Sequence, residues 1–288
     1  MTPRRRPCPR LLALIAALVL SVASPPLGAT PWSAADPRIA ADVRAGRPLV
    51  IAVMVPLCDN AQIDCGGTAA GRPGDLARNL YWGAIFGQRR FFERKGSGWA
   101  RVDRSPGEGA LLERAIYRRR VPRGPWGGDG EVEQLVVLQA VHGGAIDEAV
   151  SRFWALATQG GEIRFDDAGA ARRARIHVAG YAGHNRLMDG VALPSAGAPA
   201  PGGAPIPSFV MACASDAYFS APLRGAGSAP LVMTRALMAP EGYVIDAIAR
   251  GLGENLPAAA VRARAVEAYA TWQRLSPGVA SSIFAPAR

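Results

Sequence analysis

Among the residues able to do covalent chemistry in this 288-residue chain, His184 and Cys213 are set apart by position. Each follows an apolar run of strand character, Ala174 to Tyr181 for the histidine and Ser208 to Ala212 for the cysteine. Those strands are consecutive in the chain. In an open parallel sheet, ligands bind outside the carboxyl ends of the strands. Neighbouring strands lie about 4.8 Å apart, so residues just past two adjacent strand ends can share one site. A thiol is a poor nucleophile until ionised, and a nearby imidazole supplies that activation. Backbone N–H groups in the turns after each strand would stabilise the oxyanion. Gly183 would let the backbone beside the histidine approach a substrate closely. The plainer alternative is a small core cysteine and a satisfied turn histidine.

Other polar residues are weighed in the same way. His142 also follows a strong apolar strand and is placed at the same sheet edge, or at the start of the next helix. His177 reads as a hydrogen-bonded core residue. Asp189 and Asp216 would either form an acidic pocket for a basic substrate side chain or cap turns. With Gly183 and Ser215, these two aspartates and His142 make up the expected lining of the site. Cys58 and Cys65 lie close together among turn-formers (Asp59, Asn60, Gly66, Gly67), as a loop disulfide requires. Such a link is worth roughly 2 to 3 kcal/mol by chain entropy. It would leave Cys213 as the free thiol; the alternative is that all three cysteines are reduced. A Gly-x-Ser-x-Gly elbow, a P-loop, a Gly-x-Gly-x-x-Gly turn, a His-Glu-x-x-His pair and a Cys-x-x-Cys motif are all missing. Three histidines, none at i, i+4 spacing, argue against zinc.

The elements that must position these residues alternate. Leu49 to Leu57 is a continuous apolar, β-branched run, as in a parallel strand buried on both faces. Asp75 to Lys95 reads as a helix on its apolar stripe. Trp99 to Asp103 and Ala115 to Val121 are short strands, and Gln134 to Val141 is a strong one. Helices are expected over Ile146 to Thr158, Pro240 to Gly253 and Ala258 to Leu275. Pro230 to Thr234 is the fifth of the strong strands, and Ser195 to Pro207 reads as a mobile surface loop. Trp82, Trp154 and Trp272 fall on helical stripes and are expected in the core. This alternation predicts one α/β domain, a three-layer sandwich with a central mostly parallel sheet and helices on both faces. No internal repeat and no convincing linker divides it.

Val178-Ala179-Gly180-Tyr181-Ala182-Gly183-His184 and Phe209-Val210-Met211-Ala212-Cys213-Ala214-Ser215 resemble the caspase–gingipain–legumain group of cysteine peptidases. The resemblance spans roughly Leu49 to Gly253 and implies the caspase–haemoglobinase fold. It implies a cysteine endopeptidase with Cys213 as nucleophile and His184 as general base. The oxyanion donors would be the N–H groups of Cys213 and Asn185. Asn185 departs from the group, where glycine is usual. Asn79-Leu80-Tyr81-Trp82-Gly83-Ala84, Gly183-His184-Asn185 and Leu237-Met238-Ala239-Pro240-Glu241 also resemble a set of uncharacterised exported bacterial proteins, a likeness that brings no function with it. A second reading of the same fold is a non-catalytic periplasmic binding or structural module.

Composition bounds these expectations. Apolar residues make up 49% and charged residues 19%, enough for a substantial core. A basic segment (Arg4 to Arg10), an apolar run from Leu11 to Val22 and small residues ending at Ala29 read as a cleavable signal peptide over residues 1–29. The apolar run spans about 18 Å as a helix, short of a bilayer core of about 30 Å. The expected mature chain, residues 30–288, is then secreted or periplasmic, with no membrane attachment after cleavage. Removing the leader takes the net charge from +10 to near +6. No basic patch interleaved with aromatics supports nucleic-acid binding. The expected partner is a peptide or protein substrate, with no cofactor and no metal.

Overall fold

The computed structural model describes residues 30–195 and 203–287. The expected leader and most of the Ser195–Pro207 excursion lie outside the described residues. After a capped helix α1 (Pro37–Arg44), the chain enters β1 (Leu49–Pro56). A short helix α2 (Gln88–Phe92) leads to β2 (Ala100–Pro106), β3 (Leu111–Pro122) and β4 (Glu131–Val141). Helix α3 (Ile146–Gln159) is followed by a hairpin, β5 (Glu162–Asp167) and β6 (Ala170–Arg175), and then by β7 (Val178–Ala182). The chain closes with β8 (Ile206–Met211), α4 (Ser215–Gly225), β9 (Ser228–Val232), α5 (Gly242–Gly253), α6 (Ala258–Gln273) and α7 (Pro277–Ile283).

Seven strands form one sheet in the order β2-β3-β4-β1-β7-β8-β9. The five from β4 to β9 run parallel, while β2 and β3 pair antiparallel at one edge. Among the parallel five, the spatial order is second, first, third, fourth, fifth. The connections therefore reverse direction between β1 and β7, the switch point at which doubly wound sheets open a crevice.

β1 shows why both faces must be covered, since all eight of its residues are buried. Leu49, Ile51, Val53 and Val55 pack with residues of α1, α5 and α6. Val50 and Ala52 face the β5–β6 hairpin, and Met54 faces α3 and α4. The strong apolar runs thus become central strands with helices on both faces, as their patterning requires.

Three expectations are corrected. Asp75 to Lys95 is mostly turns, with helix only over Gln88–Phe92. The Asn79 carbonyl collects the N–H groups of Trp82, Gly83 and Ala84, so the regular helical ladder does not propagate. At Gly83 a Cβ would sit 2.3 Å from the Ala77 carbonyl oxygen, so the tight turn requires glycine. The run from Ala174 to Tyr181 is broken before Val178, and its first two residues belong to a hairpin turning at Ala168 and Gly169, both at positive φ. Trp82 and Trp154 are buried as expected, but Trp272 is 40% exposed.

Candidate active site

β7 and β8 are in parallel register from Ala179 opposite Ser208 to Ala182 opposite Met211. The ladder continues one step, with the Gly183 N–H donating to the Met211 carbonyl at 3.1 Å. His184 lies two residues past the end of β7, and Cys213 two residues past the end of β8. The close approach that Gly183 permits is to β1, because a Cβ there would lie 2.5 Å from Pro56 Cγ. This glycine seats strand on strand.

His184 has a defined partner. Its Nε2 lies 2.7 Å from Asp189 Oδ2, and the side chain is 12% exposed. Arg186 donates to the same carboxylate at 2.9 Å and to Asp147 at 3.1 Å. Burial raises the Asp189 carboxyl, but the hydrogen bonds from His184 and Arg186 outweigh it and hold the group below its ordinary range. An anionic partner at Nε2 assigns the ring proton there and leaves Nδ1 as the basic nitrogen. Tyr181 Oη donates to the His184 carbonyl at 2.8 Å and fixes the turn.

Asn185 is fully buried and bridges the two strand ends. Its Oδ1 accepts the Leu187 N–H at 3.1 Å, capping the short 3-10 turn over Arg186–Asp189. Its Nδ2 donates to the Cys213 carbonyl at 2.6 Å. The two backbone N–H groups expected as oxyanion donors, of Cys213 and Asn185, have no acceptor among the described residues.

Cys213 is a half-buried free thiol. Its Sγ accepts the Met238 N–H at 3.4 Å and lies 3.7 Å from the Met238 carbonyl oxygen. No hydrogen bond joins Cys213 to His184 among the described residues. The residue after the thiol, Ala214, is held at φ +49°. That left-handed conformation costs an L-residue about 1–2 kcal/mol and persists only where the surroundings impose it. The Ala214 N–H donates to the Ala236 carbonyl at 3.0 Å. Beneath the turn, Ser215 is fully buried; its Oγ donates to the Val210 carbonyl at 2.8 Å and meets Thr234 Oγ1 at 3.1 Å. Ser215 therefore anchors the Cys213 turn from below instead of lining an open surface. Asp216 lies in the first turn of α4, where its charge complements the helix N-terminus.

Two neighbouring strand ends complete the edge. His142, after β4, accepts the Gly144 N–H at Nδ1 (3.2 Å) and caps the turn that opens α3. Past β1, Cys58 and Cys65 form the expected disulfide, and both residues are buried. Asn79 pins that segment. Its Oδ1 accepts the Cys58 N–H at 3.0 Å, and its Nδ2 donates to the Cys58 and Arg72 carbonyls at 2.8 and 2.9 Å. His177 is buried far from the edge, accepting the Val50 N–H at Nδ1 (3.0 Å) and meeting Asp42 at 3.1 Å.

Sequence reasoning named neither Asn79 nor Met238 as part of the site. Tyr81 was likewise missed: it is buried, and its phenol is pushed up by burial, with Cys213 and Glu241 adding to the effect. Their signal is a backbone or through-space contact between distant segments, which no local spacing carries. No helix among the described residues is long and apolar enough to cross a membrane. In comparisons with known proteins, the chain matches no family model, no curated protein and no solved structure.

Proposed function

We propose that the chain is an exported cysteine peptidase of the caspase–gingipain–legumain kind, acting through Cys213 and His184. The observation that carries this reading is that a free, half-buried thiol and an imidazole paired with Asp189 each follow the end of one of two paired parallel strands. The strained Ala214 turn and the two uncommitted N–H groups support it further.

In this reading His184 takes the thiol proton, and the thiolate attacks the scissile carbonyl carbon. The C–S bond forms as the carbonyl electron pair moves to oxygen, facing the N–H groups of Cys213 and Asn185. Collapse breaks the C–N bond, and His184 returns its proton to the leaving amine. Water then attacks the thioester, releasing the acid and restoring the thiol. Asp189 holds the ring and its tautomer through both steps.

A second reading, a non-catalytic binding or structural module, is favoured by one contact: the thiol meets the Met238 backbone rather than His184. Alkylation of Cys213 by iodoacetamide, followed by intact mass against pH, separates the two. Fast alkylation below pH 7 that slows markedly in His184→Ala supports the peptidase. Slow alkylation indifferent to His184 favours the module.

A further inference from the structure

A concave site lies away from the thiol, between the segment around α2 and the end of α6. Its volume is about 550 Å³, within the range of sites that hold a small ligand or a few side chains. The floor is apolar. Trp272 sits edge-on to Phe86 at 5.5 Å and to Phe91 at 5.2 Å, and stacks on Tyr243 at 6.0 Å. These contacts fix the indole while leaving Trp272 40% exposed, beside Ile85 at 73%. The backing is tied down as well: Gly242 donates to the Phe86 carbonyl at 2.8 Å, and Gln88 Nε2 to the Pro240 carbonyl at 2.7 Å. A rigid, wet aromatic floor is the kind of surface on which a ligand's apolar side chain gains most by burial.

The rim is cationic. Arg94 is committed, lying 3.5 Å over the Phe91 ring and 3.6 Å from Asp246. Glu93, the acidic residue of the rim, is paired with Arg89 and Arg101. The side chains of Arg90 and Lys95 are exposed and make no ion pair or hydrogen bond among the described residues. The pocket thus offers an apolar floor beneath two uncommitted positive charges.

We propose that this pocket docks an acidic peptide segment, a large apolar side chain resting on Trp272 and Phe86 and its carboxylates meeting Arg90 and Lys95. A concave site suits a side chain better than a flat anionic bilayer, which is held by clusters of four to eight basic residues rather than two. The inference does not depend on the thiol chemistry.

Lys95 is the only lysine in the chain, which supplies a single-site reporter. Reductive methylation with ¹³C-formaldehyde keeps its charge and leaves one side-chain dimethylamine signal, distinguished from the terminal amine by its titration. The probe is a blocked pentapeptide with a central Phe between two pairs of Glu, added to the Cys213→Ala protein so that cleavage plays no part. The expected result is a saturable shift of the Lys95 signal that weakens as salt is raised. Replacing the central Phe with Ser, replacing every Glu with Gln, or substituting Trp272→Ala each weakens binding by about tenfold or more. Arg90→Gln, an exposed change that leaves the aromatic floor intact, does the same. No saturable shift overturns the proposal. So does equal binding of the Ser peptide, which marks charge attraction alone, and so does a shift given by phosphatidylglycerol vesicles but not by the peptide.

Discussion

The side-chain amide of Asn185 donates to the backbone carbonyl of Cys213 at 2.6 Å, and this one contact joins the loops after β7 and β8. The same side chain caps the turn that carries Asp189 to His184. Thiol, imidazole and orienting carboxylate therefore share a single buried keystone.

Asn185→Ala removes the cap and leaves the Cys213 carbonyl without its donor. The two losses cost about 1–3 kcal/mol together. For a chain of this size that lowers the melting temperature by several degrees, which a thermal melt reads directly. Asn185→Asp keeps the cap acceptor but sets a buried carboxylate against the Cys213 carbonyl, and is expected to cost at least as much as the alanine change.

Asp189→Asn keeps the shape of the His184 partner but removes its charge and its claim on the Nε2 proton. Cys213 alkylation below pH 7 is expected to slow by at least about tenfold. A melting temperature within about 2 °C of the parent shows that the fold is intact. Unchanged alkylation would mean that the carboxylate has no part in activating the thiol.

His177 gives the fold an acid sensitivity unrelated to the site. Burial lowers its pKa, and Nδ1 accepts the Val50 N–H, which only the neutral ring can do. Asp42, Arg175 and Asp36 are the charged groups around it, and the carboxylates do not reverse the shift. Because the folded state resists protonation, the unfolded chain binds more protons once the pH drops below about 6.5, the ordinary histidine value. Stability is therefore full above that point and falls as the pH is lowered, by up to about 1.4 kcal/mol per pH unit. Urea midpoints at pH 8 and pH 5.5 test the sign, and His177→Gln is expected to flatten the difference.

Cys58→Ser with Cys65→Ser opens the loop after β1 and is expected to cost roughly 2–3 kcal/mol. The urea midpoint measures that loss. A smaller drop would mean that Asn79 alone holds the Cys58 backbone.

The sheet was legible because its strands are apolar and β-branched over a length that only a strand buried on both faces explains. β1 and β4 match their expected runs within a few residues. The β5–β6 hairpin was hidden by its charge, with Arg172 and Arg173 reading as surface and Arg175 absorbed into the apolar run that follows. α4 was hidden by Ser215 and Pro222, which lower its helical signal although tertiary contacts sustain it. At the site, strand ends pointed to His184 and Cys213, and turn-formers to the disulfide. Asn79 and Met238 could not be found in this way, since one acts on Cys58 from 21 residues away and the other on Cys213 from 25.

The position of the Cys58–Cys65 bond bears on how any activity should be sought. Assays of thiol enzymes customarily include millimolar reductant to keep the nucleophile free. Here that additive would act on two sulfur centres at one sheet edge, with opposite effects: it protects Cys213 and unfastens the loop beside it. A dose series of reductant should then give a maximum rather than a plateau, and a single conventional concentration could silence a competent preparation.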